Sequence, residues 1–543
     1  MSYARYPGIR VYSTFSDSIP DLYFDGIFYT HDSIGVGQAG LADFLSKNSL
    51  YSLDDLSEGR FWLLYRKNNT YKVCADDCGQ EVIFYYHVDN IWAFSNSFLA
   101  LVEHLTAHDV KLHLNPGSAA SFFLPGGFGE TLISHNSVVQ QIKVLPRNAQ
   151  LRIVDGVFSV ESRYPSFDKK YRSNREMPNL NVLQRNIVKW QARLRGLADN
   201  HSYDFSVEIS GGADSRLLLA LLLSSGVDIS GINFLSNPSL GNDYRIAGQL
   251  AKKYGFSLAP AMNRQANVER LSAFEQVELY LYGSLGAYHK TYFSRFRYRP
   301  KTFRLHGGGG GLLRDYYGGE FLPYIDKYNK FFRDQCLFSS IKDNYRSCLE
   351  SAGYLSAGDH YLDFRCRFHV GRNWYKSNEA CLITPLISSD LLREYAELSP
   401  VARSRRYLHL AYYMLLDPEI LSVPFDEDWK SFPVEDVERM RSHISQWKPE
   451  WPENEEVKVF FGESPELVAY PWGGDEKGSV DELLHAELEY AKSSELVGDY
   501  FSSRSLGVLG RSSDWRKSGK RHRNLSHVVL LSKLEELGVE MAV

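Results

Sequence analysis

Apolar and polar positions alternate over the first third of the chain. Arg60-Phe61-Trp62-Leu63-Leu64-Tyr65, Tyr71-Lys72-Val73-Cys74, Val82-Ile83-Phe84-Tyr85-Tyr86 and Ile91-Trp92-Ala93-Phe94 are short β-forming runs. Lys67-Asn68-Asn69, Asp76-Asp77-Cys78-Gly79 and His87-Val88-Asp89-Asn90 separate them, which predicts antiparallel sheet up to about residue 165. Runs at 150–154 and 157–160 flank Asp155-Gly156, a strong hairpin signal. The polar stretch 167–181, with Ser173-Asn174-Arg175 and Pro178, predicts a linker. The period then changes. Helix is expected over 182–198, strand over 205–209, helix over 216–224, strand over 229–234 and helix over 244–254. Alternating β and α elements imply a parallel sheet, and 320–420 is mostly helical in pattern. The expectation is an antiparallel domain over 1–166, a linker over 167–181 and an α/β domain over 182–543.

With 543 residues the chain is long enough for more than one core. Its 61 basic and 66 acidic residues leave a net charge of −5, so no whole-chain polycation suggests a nucleic-acid partner. Apolar runs such as 217–223 are too short to span a bilayer, and residues 1–7 lack a signal-type apolar core. The six cysteines do not make a disulfide framework, so a cytoplasmic protein is expected.

Chemistry concentrates in Ser210-Gly211-Gly212-Ala213-Asp214-Ser215-Arg216, between an expected strand and helix. Adjacent glycines permit a tight turn and close backbone approach. The following helix aims N–H groups at that turn, making an anion site. Ser210 and Ser215 add hydroxyls, and Asp214 fits such a place if it holds Mg²⁺ bridging to phosphates. No Walker A string occurs anywhere in the chain. The Ser-Gly-Gly-x-Asp-Ser string resembles the pyrophosphate loop (PP-loop) of ATP pyrophosphatases, which cleave ATP between the α- and β-phosphates.

Nearly the whole chain resembles the asparagine synthetase superfamily, which includes β-lactam synthetases and lasso-peptide cyclases. The segments that carry the resemblance keep the family's order. They are Leu56-Ser57-Glu58-Gly59-Arg60-Phe61, the turn from Asp76 to Gly79, Phe94-Ser95-Asn96, and Gln141-Ile142-Lys143-Val144-Leu145-Pro146. After them come the loop at 210–215, Gly231-Ile232-Asn233-Phe234 with Asn242-Asp243, a second glycine-rich loop at 305–311, and Pro385-Leu386-Ile387-Ser388. The last is Pro424-Phe425-Asp426-Glu427-Asp428-Trp429-Lys430-Ser431-Phe432.

The resemblance implies an N-terminal antiparallel β-sandwich of the glutaminase (Ntn) type, followed by a doubly wound PP-loop domain with a helical C-terminal part. It implies ATP and Mg²⁺, with Ser210, Gly211, Gly212, Ser215 and Gly307, Gly308, Gly309, Gly310 and Gly311 around pyrophosphate. It also implies Phe234 and Asp243 on the adenosine side, Asp214 on the metal and Lys430 as the catalytic cation.

Departures in both parts of the chain qualify this. Ser2 stands where the family's glutaminase has its nucleophilic cysteine, the Arg-His-Arg-Gly-Pro stretch is absent, and Asp25-Gly26-Ile27 replaces Asn-Gly-Glu. A degenerate domain that hydrolyses no glutamine is therefore expected. In the second loop Gly311 takes the place of the second Mg²⁺ carboxylate and Gly308 that of another acid, which leaves Asp315 as the nearest acid. The five-glycine run is entropically costly and suggests backbone wrapped around an anion, or else a surface connection.

Other features carry less. Gly35-Val36-Gly37-Gln38-Ala39-Gly40 fits Gly-x-Gly-x-x-Gly but lacks a βαβ context. Cys74 and Cys78 have no ligand-spaced companions for zinc. Glu379 sits two residues off the family's acid. The basic stretch 511–523 reads as a solvated loop or as a docking patch for an acidic partner.

The expected activity is ATP-dependent adenylation of a small-molecule or peptide carboxylate, then acyl transfer to an amine, with a precursor peptide as a candidate partner. The alternatives are a catalytically dead nucleotide- or partner-binding homologue, and a PP-loop enzyme that modifies nucleic acid.

Overall fold

The computed structural model describes residues 8–541 except 123, 125, 164–173, 200–203, 260–269, 289–292, 296–298, 315, 317–324, 330–334, 353–359, 372–378, 450, 452–455, 462–479, 481 and 483–518. Ser2, Asp315 and residues 511–518 therefore lie outside the described residues, and 519–523 are described by backbone alone. The fold is mixed α/β, with antiparallel, mixed and parallel sheets.

Strands β1 (Val11–Ser13), β2 (Leu22–Tyr29), β3 (Ser33–Val36), β4 (Glu58–Lys67), β5 (Thr70–Ala75), β6 (Phe84–Val88), β7 (Ile91–Ser95), β8 (His113–Leu114), β9 (Ile142–Val144), β10 (Ala149–Val154) and β11 (Val157–Ser162) form the first unit. One sheet runs β1-β7-β6-β9; the other runs β11-β10-β5-β4-β2-β3 and adds β16 (Lys458–Phe460) at its edge. The hairpin turns follow local chemistry. Asn68-Asn69 and Asp155-Gly156 all have positive φ, which matches the twist of their strands.

Side-chain alternation sorts β4 between two cores. Trp62 and Leu64 meet Trp92 and Phe94 between the sheets. Phe61 and Leu63 face Leu41 and Phe44 of the helix Gly37–Lys47 on the outer side. The far face of the other sheet packs on the helices Phe98–Thr106, Ala273–Ser284 and Gly519–Glu536. The layers are thus helix, sheet, sheet, helix.

Two glycines of 35–40, Gly35 and Gly40, have packing roles. A Cβ on Gly35 would fall 2.0 Å from the Phe28 ring, and one on Gly40 would fall 2.5 Å from the Phe460 carbonyl oxygen. They let β16 dock beside β3 rather than form a dinucleotide site.

The parallel sheet has the order β13-β12-β14-β15, from β12 (Asp204–Glu208), β13 (Asn233–Leu235), β14 (Arg299–Leu305) and β15 (Ala380–Ile383). The strand expected over 229–234 is shorter than the pattern suggested. Asp228 accepts the Ser230 N–H at 2.9 Å and closes a 3₁₀ turn over Ile229–Gly231, which delays the strand to Asn233. From Leu217 to Leu222 the helix Ala213–Ser224 is apolar on every side and buried, as a helix inside a core must be. The helix Leu180–Ala198 starts two residues inside the expected linker, where the Asn179 side chain caps it.

Two late strands return to the first unit. β16 extends the first unit's sheet, and β17 (Glu540–Met541) pairs with β8. Across the junction Glu58 accepts from Lys189 at 2.5 Å and from Arg193 at 2.6 Å, while Arg193 stacks over Tyr29 and Trp190. Arg367 donates to the Gly79 carbonyl at 2.8 Å, and Thr384 to the Gln80 side chain at 2.9 Å. None of the described helices is long and apolar enough to cross a membrane.

Two helix-borne glycines, Gly40 in Gly37–Lys47 and Gly248 in Gly241–Tyr254, should respond oppositely to alanine. Gly248 has open space, so Gly248→Ala should stabilise by up to about 1 kcal/mol through helix propensity. Gly40→Ala should destabilise by roughly 1–3 kcal/mol because β16 must shift. Urea unfolding midpoints of both variants check this.

Candidate active site

The parallel sheet changes winding direction between β12 and β14. At such a switch point the loops leaving the two strands diverge and open a crevice beyond their carboxyl ends. A cleft of about 530 Å³ lies there, lined by Ser210, Gly212, Asp214 and Ser215 after β12 and by His306 and Gly307, Gly308, Gly309 and Gly311 after β14. Asp243, Arg314, Tyr316, Tyr361, His369 and Lys430 also line it.

The first loop is held from within. The Ser215 hydroxyl accepts from the Ser210 amide at 3.1 Å, and the Ser210 hydroxyl accepts from the Gly212 amide at 3.1 Å. Asp243 accepts the Gly211 N–H at 2.9 Å, so its carboxylate shapes the loop. The helix Ala213–Ser224 has no side-chain cap, so its first turn faces the cleft with its N–H dipoles.

Asp214 is partly exposed and receives a hydrogen bond from His409 Nε2 at 3.2 Å. Burial alone would raise its pKa. The His409 bond and the cations of Arg314 and Lys430 outweigh that and hold the carboxyl below its ordinary value. Burial keeps His409 below its own usual value, so a neutral imidazole donates to an ionised carboxylate. His409 lies far from the motif in sequence and only the fold reveals it.

The five-glycine run is squeezed rather than loose. Added Cβ atoms would fall 2.9 Å from the Ser215 amide nitrogen (Gly307), 2.1 Å from Val370 (Gly308), 2.3 Å from Ile387 (Gly309), 2.0 Å from the Asp214 carboxylate (Gly310) and 2.2 Å from the Tyr361 hydroxyl (Gly311). Gly309 also has φ +95°. The run is buried or half-buried and threads between the Asp214 turn and the 361–370 helix, so it is no exposed surface connection.

Lys430 reaches the cleft wall and pairs with Asp426 at 2.5 Å. Its segment is clamped by Arg216, which donates to the carbonyls of Val423 at 2.5 Å and Pro424 at 2.6 Å and stacks 3.9 Å from the Phe425 ring centre. Arg406 donates to the Lys430 and Ser431 carbonyls at 2.8 and 2.7 Å. Arg216 stands in the recognisable motif, but its partners lie over 200 positions away.

Phe234 is not brought to the cleft by its side chain. Its ring is buried and stacks on Phe256 at 4.0 Å; the next residues, Leu235 and Ser236, line the cleft instead. Glu379 is buried against Arg304 at 3.2 Å, an internal ion pair at the start of β15. Cys74 is buried in β5, and Cys78 lies in the turn after it.

No family model matches the chain, and no curated protein matches it significantly.

Arg216→Met would leave two carbonyls without their donor. It should cost about 2–6 kcal/mol of stability, at roughly 1–3 kcal/mol for each unsatisfied group. Urea denaturation checks this, and a loss under 1 kcal/mol would mean that the 423–430 segment holds its place unaided.

Proposed function

We propose that the chain is an ATP-dependent amide-forming synthetase of the asparagine synthetase type. The observation that carries this is the convergence of the 210–215 loop, the 306–311 loop and Lys430 on one cleft at a switch point. The sheet order and the loop after β12 support the PP-loop reading of the second unit. The helix, sheet, sheet, helix layering supports a glutaminase-type first unit.

The donor set fits ATP and Mg²⁺. Arg314 lines the cleft with a buried Nε that has no hydrogen-bond partner, as a waiting anion ligand would be placed. Asp214 is ionised and offers a hard oxygen ligand. Among the described residues no group of three His, Cys, Asp or Glu side chains is placed to hold a metal. Asp214 would therefore hold Mg²⁺ with phosphate oxygens and water in the remaining positions. When bound, Mg²⁺ neutralises phosphate charge.

The substrate carboxylate oxygen attacks the α-phosphorus and pyrophosphate leaves. The first turn of the Ala213–Ser224 helix and Ser210 bind that pyrophosphate, while Arg314 and Lys430 stabilise the charge that develops. An amine then attacks the acyl carbon and AMP leaves. The nitrogen comes from the amine substrate and not from glutamine. The carboxylate is a small molecule or a peptide, and the reaction needs no nucleic acid and no membrane span.

Turnover should yield AMP and pyrophosphate, never ADP and phosphate. Asp214→Ala should lower pyrophosphate release by at least about a hundredfold in a protein that still folds, with the loss of the His409 acceptor costing about 1–3 kcal/mol of stability. Lys430→Met should lower kcat by about a hundredfold with little change in the KM for ATP. ADP as the sole nucleotide product overturns the reading. ATP binding without turnover, whatever carboxylate is supplied, would favour a binding-only homologue.

A further inference from the structure

A triphosphate carries more negative charge than one divalent cation neutralises. The cleft's own groups must meet the rest, and most of them are committed elsewhere. Among its acids, Glu208 faces His306 at 3.4 Å and Arg304 at 3.9 Å, and Asp243 accepts the Gly211 amide. Asp214 is therefore the lining carboxylate that fits a metal. Among its cations, Lys430 pairs with Asp426 at 2.5 Å and with Glu427 at 3.5 Å.

Arg314 differs. It directly follows the 3₁₀ turn Gly310–Leu313, whose first residue presses on the Asp214 carboxylate. The residue is half-buried. Its buried Nε has no hydrogen-bond partner, and no carboxylate of the described residues pairs with it. Such an N–H costs free energy until a ligand satisfies it. The guanidinium lies 5.5 Å from the Trp429 ring centre and 6.0 Å from that of Tyr316. Tyr316 stacks in turn on Tyr361 at 4.3 Å, and Trp429 precedes Lys430 in the 3₁₀ turn Asp428–Lys430. Ring faces orient a guanidinium without using its N–H donors, and its planar fork matches two phosphate oxygens.

Resting on the reading above, we propose that Arg314 is a phosphate ligand that permanently supplies the positive charge a second metal ion would bring. The cleft then binds ATP with one Mg²⁺ and keeps part of its affinity with none. Two guanidinium N–H groups donate to non-bridging oxygens of the pyrophosphate part of ATP. The same bonds meet the charge of the pyrophosphate as it leaves.

Titration calorimetry with the full chain tests this. ATP and AMP are the probes, each with excess Mg²⁺ and with excess EDTA. Wild-type protein should bind ATP in EDTA, weaker than Mg·ATP by no more than about a hundredfold. Arg314→Gln, neutral and of similar reach, should weaken ATP in EDTA by a further factor of roughly a hundred, the worth of a bidentate charge-assisted contact. Arg314→Lys, which keeps a cation but not the fork, should lose roughly tenfold. AMP affinity should move by no more than about threefold in both variants, well short of losing such a contact. Unfolding midpoints without nucleotide should stay near that of the wild type, because the Arg314 Nε has no bond to lose. With Mg²⁺ varied, wild-type affinity for ATP should rise as for a single ion taken up per nucleotide.

Unchanged ATP affinity in EDTA for Arg314→Gln overturns the proposal and leaves the synthetase reading standing. Wild-type binding only in Mg²⁺, or a dependence on two ions, does the same. Equal losses in the Gln and Lys variants overturn it, because charge is then not what Arg314 supplies. Equal losses for AMP and ATP also overturn it, because they place Arg314 at the nucleoside end or in folding. Absence of ATP binding to the wild-type protein in both conditions overturns the parent reading and this inference with it.

Discussion

The architecture depends on a close approach that only glycine allows. The chain leaving β14 passes between the Asp214 turn on one side and the 361–370 helix on the other. A Cβ at any of Gly307 to Gly311 would overlap a neighbour. That contact brings the two loops at the switch point within reach of one ligand and turns the helix carrying Tyr361 and His369 toward the cleft. A looser passage would separate the Asp214 carboxylate from the wall that faces it. The entropic cost of five successive glycines is thereby given a packing reason, one that holds whether or not an anion is bound.

The second constraint is the clamp on the late segment. Arg216 leaves the first loop's helix and binds the carbonyls of Val423 and Pro424, and Arg406 holds the carbonyls of Lys430 and Ser431. These bonds fix the backbone on both sides of Asp426 and Lys430. A preorganised ammonium costs little reorganisation as charge develops, which is how such a group accelerates chemistry. The first unit contributes from the other side. Through Gly79, Gln80 and Glu130 it supports Arg367, Thr384 and Arg365, and two of these, Arg365 and Arg367, belong to the cleft-lining helix.

Local chemistry was the legible part of the sequence. The hairpins at Asn68-Asn69 and Asp155-Gly156 and the apolar helix after Asp214 follow from turn residues and period, and the structure has them in place. Ser210, Asp214, both glycine loops and Lys430 could be singled out from residue type and order, and they meet in one cleft. What stayed hidden depends on distant partners. His409, Arg314 and Arg406 carry no local signal, because an isolated His or Arg looks alike in any helix. Phe234 shows the reverse error: a family-like strand position whose ring turned to the core, since alternation in a three-residue strand is set by its neighbours. The pairing of β16 with β3 was equally illegible, as a short run such as Lys458–Phe460 has no period long enough to read.

The central claim is that three segments distant in sequence form a single nucleotide site. Amide hydrogen exchange with and without Mg·ATP tests it most directly. Simultaneous protection in 207–218, 305–313 and 424–431, lost together in Asp214→Ala, is the predicted result. Protection of only one of these segments, or an unchanged pattern at saturating nucleotide, would contradict the account.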